Sequence, residues 1–221
     1  MKKYIRNILI VTILLLPQTL LLAQEKSNST LDPVDYLSIG ARNCFSSFFS
    51  GKRAFVGTGA GGQFGYRIAK NFNSHYFADW IVSNVANLAQ RFDFHSGFSM
   101  MPEVISAPAG KNHISLFPLA GICIDYTKLS VTTGKTKAQS PRFVERYSFA
   151  CQIGFGATLP VSNRLDISLE AHYMLHIGTC VGINLLDNNE VQLLQMQPGG
   201  NVCLEGHYVL ALSMDFKLFK L

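Results

Sequence analysis

Alternation with period two runs through most of this chain and restricts its fold more than any other feature. In RFDFHSGFSM (91–100), Phe92, Phe94, Phe98 and Met100 share one parity, and Arg91, Asp93 and His95 share the other. Successive side chains of a β-strand point to opposite faces, so this stretch is a strand with one apolar and one charged side. Eight such segments fall near 34–48, 53–68, 75–86, 91–101, 113–129, 143–158, 164–177 and 203–219. In the seventh, Leu165, Ile167, Leu169, Ala171, Tyr173 and Leu175 oppose Asp166, Ser168, Glu170, His172 and His176. In the eighth, Leu204, Tyr208, Leu210, Leu212, Met214 and Phe216 oppose Glu205, His207, Ser213, Asp215 and Lys217. AKNFNS (69–74) and LPVSNR (159–164) carry the Asn, Ser and Pro of compact turns. VTTGKTKAQSPR (131–142) is a longer polar loop, and 178–202 is the longest connection.

Two architectures accommodate strands of this kind. A soluble sandwich packs the apolar faces inward. A transmembrane barrel turns them to lipid and encloses the polar faces in a lumen. The segments here run to about 12 to 16 residues, whereas globular strands are typically about 5–6. Aromatic residues gather toward the ends of the apolar faces: Tyr66, Tyr76, Phe92, Tyr126, Tyr147, Tyr208 and Phe216. The polar faces hold Gly, Ser and charges of both signs, with almost no Lys. Together these favour an all-β, eight-stranded antiparallel up-and-down barrel. Its lipid face would absorb a hydrophobic fraction of 48% and a mean hydropathy of +0.19.

An eight-stranded barrel is just wide enough for side chains to fill, and charges buried there need partners. The lumen parity supplies Arg67, Arg91, Arg146 and Lys217 against Asp79, Asp93, Asp125, Asp166, Glu170, Glu205 and Asp215, with His95, His172, His176 and His207 among them. Gly57, Gly59, Gly61, Gly97, Gly121 and Gly154 leave room for the longer side chains.

The N-terminus sets the compartment. Lys2, Lys3 and Arg6 precede an apolar run from Ile8 to Leu16, and Ala23-Gln24 offers a cut site. That order is a secretory signal over 1–23, followed by a short polar linker (24–33) and a barrel over 34–221. The signal carries three basic residues and no acid, so the formal charge of +5 falls to about +2 in the mature chain. Basicity therefore makes no case for nucleic acid. Secretion places the chain in the bacterial outer membrane, with both barrel termini on the periplasmic side.

The chain resembles the small OmpA/OmpX-like outer-membrane β-barrels, especially the signal-bearing barrels of Bacteroidetes. The residues that carry the resemblance are Ala23-Gln24, FPLAGICIDY (117–126) and QIGFGATLPVSNRLDISLEAHYML (152–175). It implies outer-membrane lipid and, during biogenesis, the barrel-assembly machinery as partners. The C-terminus departs from the family: such barrels often end on an aromatic residue, whereas here Leu221 is last and Phe219 lies on the polar parity. A bulge near 217–219 would reconcile the two.

The polar residues give no catalytic motif. His95 and Ser96 are adjacent in a strand and point to opposite faces, so they form no relay. GTGAGGQFG (57–65) lacks the GK[ST] and following helix of a phosphate loop. Imidazoles and carboxylates on the lumen parity have metal-ligand chemistry but no dedicated spacing, so an ion-pair network is expected, with no metal or cofactor. Cys123 is expected free in the lumen and Cys151 free on the lipid face. Cys44, Cys180 and Cys203 map to the outer rim. Cys180 with Cys203 is the favoured bridge, closing a loop of 24 residues. Cys44 with Cys203 competes with it, as do three free thiols. The expected role is a non-catalytic envelope-structural or surface-contact protein acting through loops 130–142 and 178–202. The rival readings are an outer-membrane enzyme acting on lipid and a secreted β protein that binds an apolar ligand.

Overall fold

The computed structural model describes residues 36–50, 53–69, 71–85, 88–109, 112–132, 141–179, 181–185, 191–195 and 203–220. The signal, the linker and Cys180 lie outside them.

Among the described residues, eleven strands follow one another: β1 (Tyr36–Ser50), β2 (Arg53–Ala69), β3 (Phe72–Val85), β4 (Ala89–Pro102), β5 (Ile105–Ala109), β6 (Asn112–Val131), β7 (Phe143–Ser162), β8 (Leu165–Gly178), β9 (Val181–Leu185), β10 (Val191–Gln195) and β11 (Cys203–Lys220). Eight of them form a closed antiparallel barrel, β1-β2-β3-β4-β6-β7-β8-β11, with β11 pairing back onto β1. Closure leaves no open edge in the barrel wall. We call the end that holds Tyr36 and Lys220 the near end, and the opposite end the far end.

The stagger of the wall follows from the register. Paired residues starting at Ser38 run through Gly65, His75, Ser99, Gly121, Gln152, Met174 and His207, and meet β1 again at Phe48. The path from Ser38 to Phe48 climbs ten residues. Eight strands with that shear tilt by roughly 40° to the barrel axis.

All eight segments drawn from the alternation are barrel strands. The turns are tighter than read. β3 begins at Phe72, so most of AKNFNS is strand, and β7 runs on to Ser162. Ser162 Oγ accepts the Arg164 N–H at 3.2 Å and fixes the two-residue β7–β8 turn. Three short strands were not anticipated. β5 extends β6 at the near end, and β9 and β10 form a hairpin within the longest connection. A register shift between Lys217 and Phe219 of β11 is the bulge expected there.

The faces follow the parity. Ile124, Ile153, Phe155, Leu204 and Val56 are all more than 60% exposed on the outer surface, and Arg91, Asp93, His95 and Ser99 are buried in the lumen. Toward the far end an aromatic arc runs round the outside: Trp80 on Phe92 (4.8 Å), Phe92 near Tyr126 (6.4 Å) and Tyr126 on Tyr147 (5.0 Å). Two glycines answer close approaches. A Cβ on Gly97 would press on the Phe77 ring inside the barrel, and one on Gly206 would collide with Tyr173 Oη outside it.

Candidate functional site in the barrel lumen

Apolar side chains divide the lumen, although they sit on the polar parity. Met101, Phe117 and Leu119 close the near end. Phe48, Val85, Ala89, Leu129 and Val144 close the far end together with Val181 of β9 and Leu193 of β10. A third cluster, including Cys44, Phe77, Ile81, Cys123 and Met174, lies between two polar networks. On β8 the order toward the far end is Glu170, His172, Met174, His176; on β11 it is Asp215, Ser213, Ala211, Val209, His207, Glu205.

The near network centres on Arg42. Its guanidinium lies 3.1 Å from Asp79 and 3.3 Å from Glu170 and donates to Gln63 Oε1 at 2.6 Å. Gln63 passes the network on by donating to Asp215 at 2.7 Å. His75 Nδ1 faces Glu170 at 3.7 Å. Nearer the end, Lys217 pairs with Asp166 at 2.8 Å and Arg67 with Glu103 at 3.3 Å, while the Arg67 and Lys217 cations both sit over the Tyr36 ring.

The far network centres on two carboxylates. Asp125 faces His95 Nε2 at 3.2 Å and His176 Nδ1 at 3.3 Å, and accepts from Thr127 at 2.9 Å and Ser148 at 3.1 Å. Glu205 binds both Arg91 and Arg146 and lies 2.9 Å from His207 Nε2. Arg91 also holds Asp93 at 2.9 Å and stacks on Phe48, with Cζ 4.2 Å from the ring centroid. The rings of His95, His176 and His207 touch one another, with centroids 4.4 to 6.0 Å apart.

The fifteen residues assigned to the lumen by parity differ in burial. Arg67, Glu205 and Lys217 are half-buried and the other twelve are buried. His172 is in the lumen but joins neither network; both its ring nitrogens are buried without a hydrogen-bond partner among the described residues. Arg42, Gln63 and His75 complete the near network and were absent from the expected set. Arg42 stands on the polar parity of the first segment, which was the signal that could have found it.

One placement is corrected. Cys44 is not at the rim. It is buried in the middle cluster at 1% exposure, and its partner across the β1–β11 pairing is Ala211, eight positions from Cys203 along β11. Strand closure brings the two strands together, but the register keeps these cysteines apart, so the Cys44–Cys203 bridge is excluded. Cys44, Cys123 and Cys151 are free, the second in the lumen and the third on the outer face. The Cys203 backbone ends β11 opposite Gly178, and the Cys180 pairing falls outside the described residues.

The geometry defines a class: a closed, eight-stranded barrel with an apolar outer wall and a side-chain-filled lumen, the fold of the small outer-membrane barrels. Two solved structures, among others, are similar to it in fold. Neisserial surface protein A is 14% identical with a TM-score of 0.54, over 82% of this chain and 97% of that one. A major outer membrane protein from Thermus thermophilus is 10% identical with a TM-score of 0.55, over 82% of this chain and 99% of that one. Both likenesses are of fold. No protein-family model and no curated protein matches the sequence.

Proposed function

We propose that the chain is exported by a signal over 1–23 and, after a linker over 24–33, inserts as a non-catalytic outer-membrane β-barrel over 34–221. It serves the envelope as a structural or surface-contact protein. The observation that carries this reading is the pairing of an apolar belt on all eight wall strands with a lumen of buried, ion-paired side chains. Ile39, Phe64, Trp80, Phe94, Ile122, Phe155, Leu169 and Leu212 stand exposed, one on each strand in turn, an arrangement that lipid stabilises and water does not. The belt supports outer-membrane lipid as the partner of the wall, and the barrel-assembly machinery as the partner in biogenesis.

Both ends of the lumen carry apolar clusters, which supports a wall without a general pore. The near-end cavity bordered by Ser38, His75 and Asp166 is about 20 Å³, room for about one water. The β9–β10 hairpin refines the role of the longest loop. Val181 and Leu193 turn down into the mouth, so part of that connection is a lid. The contact surface is then the 132–142 loop and the stretches that flank the hairpin.

Fractionation tests the reading. The mature protein is expected in the outer membrane and to migrate differently on gels before and after heating. Recovery from the soluble periplasm without detergent would overturn it.

A further inference from the structure

We propose that His95, His176 and His207 form a binding site for a single divalent transition-metal ion of the Zn²⁺ class, tying β4, β8 and β11 together across the lumen. One ring nitrogen from each histidine lies within 4.8 Å of one from each of the others. All three residues are at most 1% exposed. Imidazole nitrogens on a tetrahedral Zn²⁺ stand roughly 3.3 Å apart, a spacing that small side-chain rotations reach.

The surroundings are those of held metal ligands. A metal-bound histidine turns its other ring nitrogen to a carboxylate, which fixes ring and tautomer. Asp125 faces Nε2 of His95 and Nδ1 of His176, and Glu205 faces Nε2 of His207. The remaining nitrogens of His176 and His207, Nε2 and Nδ1, are buried without a hydrogen-bond partner among the described residues. Neither is committed to a partner among the described residues, so each can turn to an ion. Asp93 and Asp125 also group with His95, so carboxylate oxygens lie beside the imidazole cluster.

Charge points the same way. Arg91 and Arg146 are the cations of this network, and Arg91 Nη2 lies 3.1 Å from His207 Nε2. Asp93, Asp125 and Glu205 oppose them, one carboxylate in excess. Through the whole lumen five Arg and Lys side chains face eight carboxylates among the described residues: Arg42, Arg67, Arg91, Arg146 and Lys217 against Asp79, Asp93, Glu103, Asp125, Asp166, Glu170, Glu205 and Asp215. A bound dication offsets that excess. The apolar clusters above and beside the site mean that the ion enters while the barrel closes.

The mature chain is refolded into detergent with Co²⁺ or Zn²⁺ present, desalted, and assayed for retained metal and for the visible bands of tetrahedral Co²⁺. Retention of one ion per chain with those bands is expected. H176Q and H207Q should each lower retention at least ~10-fold, while H113Q, outside the lumen, leaves it unchanged. Heat-modifiable migration shows which variants fold. Wild-type protein that folds but retains no metal, or shows no tetrahedral bands, overturns the site whatever the variants do. Equal retention in folded H176Q and H207Q overturns it as well. Neither result bears on the outer-membrane reading, which fractionation tests separately.

Discussion

Arg42 is the most demanding place to perturb this lumen. Its guanidinium is buried, sits between Asp79 and Glu170 at 3.1 and 3.3 Å, and stacks on Phe77 with Cζ 5.1 Å from the ring centroid. Arg42→Met keeps most of the volume and removes the charge. Two carboxylates then remain buried with no cation between them. Breaking a buried pair from one side costs roughly 3–5 kcal/mol, a drop of about 2 to 4 decades in the folding equilibrium at ~1.4 kcal/mol per decade. Arg42→Met/Asp79→Asn/Glu170→Gln removes the stranded charges too. It should recover most of the loss, since replacing a whole buried ion group is often neutral.

The assay is equilibrium unfolding in urea of the barrel refolded into lipid vesicles, followed by tryptophan fluorescence from Trp80 and by the heat-modifiable band. With a urea dependence of about 1–3 kcal/mol per molar, the single variant should lower the midpoint by roughly 1–5 M and the triple by much less. A single-variant loss below ~1 kcal/mol would mean that Asp79 and Glu170 do not depend on Arg42. A triple variant as unstable as the single would locate the loss in packing and refute the electrostatic argument.

Phe94→Arg, on the outer face near the middle of β4, should cost roughly 2–4 kcal/mol of insertion, read as folding yield into vesicles; Phe94→Leu should insert normally. In planar bilayers the wild-type barrel should give no steady large conductance, because side chains fill an eight-stranded lumen. Leu193→Asp places an unpaired carboxylate in the far-end apolar cluster and should lower the urea midpoint without abolishing membrane insertion. Thiol titration of unreduced, denatured protein should find three thiols if Cys180 and Cys203 are bridged and five if they are not. In the folded barrel, Cys44 and Cys123 should resist a water-soluble maleimide, since both are buried.

The strands were legible because alternation is a local property. Each segment declares its faces without reference to its neighbours, and the parity of Arg91, Asp93 and His95 decides their burial whatever the barrel does elsewhere. Short strands that hang on other elements are a different case. β5 exists because Ile105 to Ala109 finds a partner in the near-end extension of β6, and five residues are too few for a pattern. The β9–β10 hairpin contributes Val181 and Leu193 to a cluster assembled from five other strands, so its burial is tertiary in origin. The apolar residues inside the lumen were hidden for a related reason. Phe77, Ile81 and Met174 stand on the polar parity, where alternation alone predicts solvent-like surroundings. A narrow barrel must fill that space with volume as well as charge.

Which lumen residues meet is set by stagger, and stagger does not appear in any one segment. His95 pairs in register with Asp79 and Asp125, and His176 with Glu205 and Ala150. Neither ladder joins His95 to His176. Their meeting requires a wall that climbs ten residues in one circuit, which lifts β8 and β11 against β4 until His176 and His207 reach His95 across the lumen. The same climb separates Cys44 from Cys203, although their strands are hydrogen-bonded neighbours. Parity thus identifies the residues available to a lumen site, while shear selects the three that form one. A substitution that shifted the β1–β11 register by two residues would keep every side chain on its face, leave the apolar belt intact, and still dissolve the histidine cluster.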